Sequence, residues 1–265
     1  MTYKNKKVWI TGASSGIGEA LAYAFAQEGA MLILSARKAA ELERVKANCK
    51  GAAAVDIVLL DIGDYNAVFS TVKTTLERHG GSIDVLVNNA GLSQRSLAKD
   101  TAFSVDEQMI AVNLLGTIAM TKAVLPAFLA QKSGQIVTVT SIMGKLGAPL
   151  RSSYAAAKHG LHGFFDTLRA ETHDAGLRVL LVCPGYVRTN ISLNALTADG
   201  KAQGTMDAAT DKGFAPEEVA KRIVSALKSG KEELIVAAPR ERLAVYLKRF
   251  FPSLLSIMAR KVATT

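Results

Sequence analysis

Cysteine is almost absent from this 265-residue chain. Cys49 and Cys183 stand alone, too few for a disulfide framework and too far apart in sequence to read as a ligand pair. That usage fits a reducing compartment, and a cytoplasmic location is expected. The four histidines (79, 159, 162 and 173) include no pair joined to Cys or Glu at metal spacing. His159 and His162 are read as solvated or packed, and no metal is expected. No uncharged apolar run approaches ~20 residues, so no bilayer-spanning segment is expected. The opening MTYKNKKVWITG has too short an apolar stretch for a signal peptide. Charged residues make up only 21% against 49% apolar, which excludes a disordered chain. Acidic residues are the scarcer charge, and the formal net charge is +9. The excess is concentrated at the ends. Residues 1–7 carry Lys4, Lys6 and Lys7, and residues 239–265 carry Arg240, Arg242, Lys248, Arg249, Arg260 and Lys261 against Glu241 alone. With the body near neutral, a nucleic-acid partner is not expected.

What is present is an alternating pattern. Short apolar runs lie at 8–11, 31–36, 54–60, 84–89, 135–141, 178–183 and 233–238, separated by stretches rich in Ala, Leu, Glu and Lys. Several runs lack polar alternation, as expected of parallel strands buried on both faces. Gly29, Gly80 and Gly176 fall where the intervening helices would end. The pattern predicts one α/β domain over 1–265, a Rossmann-type doubly wound parallel sheet of about seven strands, with a helical C-terminal extension. Residues 190–215 hold few large apolar side chains and several glycines, and read as a substrate loop over the sheet edge.

Thr11-Gly12-Ala13-Ser14-Ser15-Gly16-Ile17-Gly18 follows the first strand and opens a helix. Glycine there allows a tight turn and close approach to a pyrophosphate, and the helix offers free N–H groups. An NAD site carries an acidic residue ~20 residues further on, at the end of the second strand. This chain has Ser35-Ala36-Arg37 there and no carboxylate. A guanidinium binds a 2′-phosphate that a carboxylate would repel, so NADP(H) is the expected cofactor, with Ser35 as a further donor.

Tyr154 and Lys158 lie four apart and share one helix face. A phenol titrates near pH 10, and a neighbouring lysine cation favours its ionised form. Ser141, at the end of the fifth strand, can donate to a substrate carbonyl oxygen. Asn113, inside an apolar helical stretch, needs polar partners and can hold a water feeding protons through Lys158.

In these motifs, together with Asp61 after the third strand, NNAG at 88–91 and PGYVRT at 184–189, the chain resembles the short-chain dehydrogenase/reductase family. The resemblance covers residues 8 to about 190. It implies that Tyr154 is the general acid/base, that Lys158 binds the nicotinamide ribose and lowers the phenol's pKa, that Ser141 orients the carbonyl and that Asn113 completes a relay. It also implies cofactor contacts. Gly12, Ser14, Ser15, Gly16, Ile17 and Gly18 form the turn, and Asp61 and Ile62 frame the adenine. Asn88, Ala90 and Gly91 support the ribose side. Pro184, Gly185, Val187 and Thr189 hold the carboxamide and phosphates. Homodimers and homotetramers, common in the family, are expected through helices at about 102–131 and 151–175.

The tail resembles that of the hydroxysteroid-dehydrogenase-like branch more loosely. Leu243, Tyr246, Leu247, Phe250 and Phe251 fall at helical spacing beside cations, and a second apolar patch follows Pro252. Two readings compete: packing on the body or a second subunit, or resting on an anionic membrane surface. With Ile142, Met143, Leu146, Leu150 and Tyr186 flanking the catalytic residues, a fairly apolar carbonyl or alcohol substrate is expected. A ketoacyl-type reductase and a non-catalytic NADP(H)-binding regulator are the alternatives. The complete serine, tyrosine and lysine set argues against the second.

Overall fold

The computed structural model describes residues 2–260, which leaves Lys261 of the basic tail outside the described residues. Seven strands form one parallel sheet in the order β3-β2-β1-β4-β5-β6-β7. They are β1 (Lys7–Thr11), β2 (Met31–Ala36), β3 (Ala54–Leu59), β4 (Val85–Asn88), β5 (Gly134–Val139), β6 (Leu177–Pro184) and β7 (Glu233–Val236). The helices are α1 (Gly16–Gln27), α2 (Ala39–Asn48), α3 (Tyr65–Arg78), α4 (Phe103–Ile110), α5 (Thr117–Gln131), α6 (Ser152–Glu171), α7 (Ala208–Asp211), α8 (Pro216–Lys228), α9 (Pro239–Phe250) and α10 (Pro252–Ala259).

The unbroken apolar strands are explained by what covers them. In β1, Val8 and Ile10 enter the core under α1 and α8, while Trp9 enters the opposite core under α3, α5 and α6. Both faces of the strand are dry, so alternation has no selective value. Gly29, Gly80 and Gly176 all take positive φ at helix ends, where a side chain would be strained. The strand order reverses between β1 and β4, and the carboxyl ends of these strands flank the crevice where open α/β sheets bind ligands.

The structure refines the sequence reading at several places. Ser141 lies two residues beyond β5, where its hydroxyl accepts Met143 N–H and starts a short 3₁₀ turn. Asn113 lies in a π-helical turn, Ala111–Gly116, between α4 and α5. The continuous helical run Phe103–Gln131 is long and apolar enough to cross a membrane by length and composition. Its Met120, Val124 and Phe128 are fully buried in the core, which marks it as a core helix.

The tail is one such place. No residue of α9 or α10 is buried. Tyr246 and Phe250 are 61% and 67% exposed, and Leu243, Phe251, Leu254, Ile257 and Met258 are exposed as well. Packing of this apolar stripe on its own body is therefore not the arrangement adopted. Two residues separate Pro239, which starts α9, from the end of the edge strand β7.

Residues 190–215 are tied down over the sheet edge. Leu196 N–H donates to Ser93 O and Arg95 N–H to Leu196 O, both at 2.8 Å. Ser192 and Ala195 are fully buried.

Candidate active site

The loops after β1, β2, β3, β4, β5 and β6 line one cleft of about 1840 Å³. That exceeds the ~300–1,000 Å³ of an ordinary small-molecule pocket and leaves room for two ligands side by side.

At its centre is the glycine turn. Gly12 and Gly16 have φ of +65° and +57°, a region glycine tolerates. A Cβ on Gly12 would lie 2.7 Å from Ala90 Cα, and one on Gly16 would lie 2.9 Å from Thr189 Cγ2. The turn thus packs against both the NNAG and PGYVRT segments. Asn89 clamps it: the side-chain amide donates to the Thr11 and Gly12 carbonyls, each at 3.1 Å, and the backbone N–H donates to Thr11 Oγ1 at 3.0 Å. Ser15 is the N-cap of α1, yet its side chain caps nothing, which leaves the first-turn amides at cleft-lining Gly16 and Ile17 without a side-chain acceptor. A backbone cradle with unpaired amides at a helix start fits a dinucleotide pyrophosphate.

At one end of the cleft, Arg37 and Asp61 are exposed and Ile62 is buried. Ser35 is buried, and its hydroxyl accepts the Trp9 indole N–H at 2.7 Å. The Ser35 O–H remains as a donor. Arg44 pairs with Glu19 at 2.7 Å and Glu41 at 2.9 Å, and donates to Ser14 O at 3.2 Å. It braces the glycine turn from α2, a role no sequence signal announced.

At the other end, Tyr154 and Lys158 project from α6, both buried. Lys158 Nζ lies 5.8 Å from the Tyr154 ring centre and donates to Val139 O at 2.9 Å. Burial pushes the lysine down to about 8. Burial also pushes the Tyr154 phenol up. Its hydrogen-bond partner Ser141 opposes that shift, followed by the positive charges of Arg151 and Arg95. Burial thus favours the protonated form of the phenol. Gln94 fixes the start of α6: its carbonyl oxygen accepts Ser153 N–H at 3.1 Å and Tyr154 N–H at 3.3 Å.

Asn113 is fully buried, and its Oδ1 accepts Leu92 N–H at 2.9 Å. A Cβ on Gly91 would come within 2.6 Å of that oxygen, so the glycine lets the segment after β4 lie against the π turn. The asparagine braces the cleft wall through its side chain.

The cleft brings together Gly12, Ser14, Ser15, Gly16, Ile17, Ser35, Arg37, Asp61, Ile62, Ala90, Gly91, Asn113, Ser141, Tyr154, Lys158, Pro184, Gly185, Val187 and Thr189. Two of the expected residues stand behind its wall. Asn88 is buried with its amide on Thr121 and Thr138, and Gly18 packs against Gly12 and Asn89. The sequence reading passed over Asn89, Arg95, Arg151 and Asp207, which line the cleft or its clamp. It also passed over the reach of Glu241. One oxygen of this α9 carboxylate accepts Ala238 N–H at 2.8 Å, and the other accepts Tyr186 N–H at 3.4 Å. That ties the start of the tail to the PGYVRT segment.

A family model described as short chain dehydrogenase matches residues 6–199. Among curated proteins, a dehydrogenase/reductase SDR family protein 7-like of Anopheles gambiae is 42% identical over 97% of this chain and 83% of its own length. The dehydrogenase/reductase SDR family member 7B of Bos taurus is 40% identical over 95% and 79%. Among solved structures, a short chain dehydrogenase/reductase from Burkholderia phymatum in complex with NAD superposes with a TM-score of 0.85 at 25% identity, covering 96% of both chains. An alcohol dehydrogenase from the archaeon Thermococcus sibiricus complexed with 5-hydroxy-NADP gives 0.76 at 30% identity, covering 88% of this chain and 96% of the other.

Proposed function

Because the chain belongs to the short-chain dehydrogenase/reductase family, we propose that it is an oxidoreductase that reduces the carbonyl group of a small molecule with NADPH, or oxidises the corresponding alcohol. The observation that carries this reading is the buried Ser141, Tyr154 and Lys158 set on the wall of the same cleft as the glycine-turn cradle. The bound cofactor supplies the hydride. Ser141 holds the carbonyl oxygen, and Tyr154 gives that oxygen its proton. Lys158 keeps the tyrosine side of the cleft positive and holds the cofactor's ribose. Both a regulator without chemistry and a ketoacyl-type reductase fit less well. The first has no use for a buried phenol, and the exposed apolar tail is foreign to docking a soluble acidic carrier.

NADPH is preferred to NADH in this reading because Arg37 lines the cleft just after β2, where it is available to a 2′-phosphate, and no carboxylate ends that strand. Residues 190–215 act as the substrate loop. Exposed Phe103, Leu115 and Leu129 on the α4–α5 run support pairing with a second copy. The exposed apolar stripe of α9 and α10, flanked by Arg240, Arg242, Lys248 and Arg249, supports peripheral contact with an anionic membrane.

The test is NADPH oxidation across a panel of ketones and aldehydes, with Tyr154→Phe as control. Loss of a positioned acid costs about 10²–10⁴-fold. A Tyr154→Phe enzyme with full activity would refute the assignment.

A further inference from the structure

Beyond Tyr154 the cleft is not uniformly apolar. Leu92, Met143 and Leu196 gather around the tyrosine ring. Beside them lie two arginines and one aspartate, from three separate segments. Arg95 follows the NNAG loop, Arg151 begins α6, and Asp207 belongs to the 190–215 loop.

The three are not equivalent. The Arg95 side chain is 8% exposed and fully occupied. Its Nε donates to Asp207 Oδ2 at 2.9 Å, Nη2 reaches the same oxygen, and Nη1 donates to Ser93 Oγ and Gln94 O, both at 2.7 Å. The other oxygen of Asp207 accepts Gln203 Nε2 at 3.0 Å. This pair is a latch that fastens the loop to the body. Arg151 is left over. Its nearest carboxylate oxygen is Asp207 Oδ2 at 3.6 Å, too long for a hydrogen bond and already shared. Among the described residues its guanidinium makes no hydrogen bond, although its side chain is only 16% exposed. Burial and the charge of Arg95 both push its pKa down, which reports a cation held at a cost.

A planar fork of N–H donors with one loose partner, lining the cleft beside the catalytic phenol, is complementary to a carboxylate or phosphate. We infer that Arg151 binds an acidic group carried by the substrate, so that the preferred substrate is an amphiphile with an apolar segment, a carbonyl and an anionic group within reach of each other. Arg95 and Asp207 hold the loop over it and leave one net positive charge in that part of the cleft. This inference rests on the carbonyl-reductase reading of the same site.

The experiment compares matched substrates with NADPH: medium-chain keto acids against their methyl esters, and a hydroxyketone phosphate monoester against the free hydroxyketone. The wild type is expected to prefer the charged member of at least one pair by about 10- to 100-fold in kcat/KM, the range of a charged hydrogen-bonded pair. The favoured pair identifies carboxylate or phosphate as the group. Arg151→Leu should remove that preference mainly through KM, and Arg151→Lys should restore part of it. Neutral members preferred in both pairs would overturn the inference, and so would a preference that survives in Arg151→Leu. Should Arg151→Leu fail to fold, the wild-type ratio and Arg151→Lys decide alone. If no carbonyl is reduced at all, the reductase reading fails, and calorimetry separates the two ideas. Arg151-dependent binding of the acids over the esters to the NADPH-saturated protein sustains the anion site; equal binding removes it.

Discussion

Arg37 Nη1 lies 3.7 Å from Asp61 Oδ2, across the mouth of the cleft at the ends of β2 and β3. Both side chains are largely exposed, so the pair is worth little and costs little to open. Asp61 holds its own loop through Gly63 N–H at 2.9 Å. The arginine is therefore available to another anion.

Arg37→Asp tests that availability. The substitution removes a charge-assisted partner and adds a repelling carboxylate. The ratio of kcat/KM with NADPH to that with NADH should fall about 100-fold, equivalent to about 3 kcal/mol. Parallel kinetics with both cofactors check it, and an unchanged ratio would remove Arg37 from the cofactor site.

Lys158 sets the alkaline limit. Its ammonium is pushed down to about 8 by burial. As pH rises through that value the amine loses its charge, and the cleft loses a buried cation. For the reduction, kcat/KM should fall above about pH 8 with a slope of one proton. In Lys158→Arg, whose guanidinium stays charged, the residual activity should lack this limb. A wild-type profile flat to pH 9.5 would contradict the assignment.

His162 sets an acid limit on stability. Its ring is buried between Thr140, at 3.2 Å, and Cys183, at 3.7 Å, and its pKa falls to about 4 from 6.5 because burial disfavours the charged ring. The unfolded chain thus binds a proton between pH 6.5 and 4 that the folded chain refuses. Stability from this residue is complete above pH 6.5 and declines as pH falls toward 4, by up to about 3 kcal/mol. Urea unfolding at pH 7.0 and 4.5 measures the loss, and His162→Asn should shrink the difference between the two pH values. A difference identical in wild type and variant would exclude the histidine as its source.

The tail is tested by separation. Full-length protein should sediment with vesicles rich in phosphatidylserine and release at high salt, whereas a chain cut after Ala238 should stay in solution. Binding equal to that of the shortened chain would end the membrane reading. Loss of a dimer on shortening, measured by light scattering, would assign the stripe to a second subunit.

The sheet was legible because buried parallel strands leave unbroken apolar runs, and the glycine turn because its chemistry tolerates few side chains. Tyr154 and Lys158 were legible because four residues is one helical turn. Arg95, Arg151 and Asp207 were not: they come from three segments up to 112 positions apart, and only loop closure unites them. Asn89 was hidden beside Asn88, since alternation along β4 sends one amide to the core and its neighbour to the cleft. The π turn at Asn113 depends on packing that no local pattern encodes.

Trp9 is the chain's one tryptophan, and its indole bonds to the hydroxyl of Ser35, which lines the cleft. The molecule thus contains a single indole, shielded from solvent quenchers and connected to the cleft wall by one hydrogen bond. Its emission carries no background from other indoles. A spectral shift on adding nucleotide and a red shift on unfolding are two separable optical signals from one atom group, available without labelling the protein.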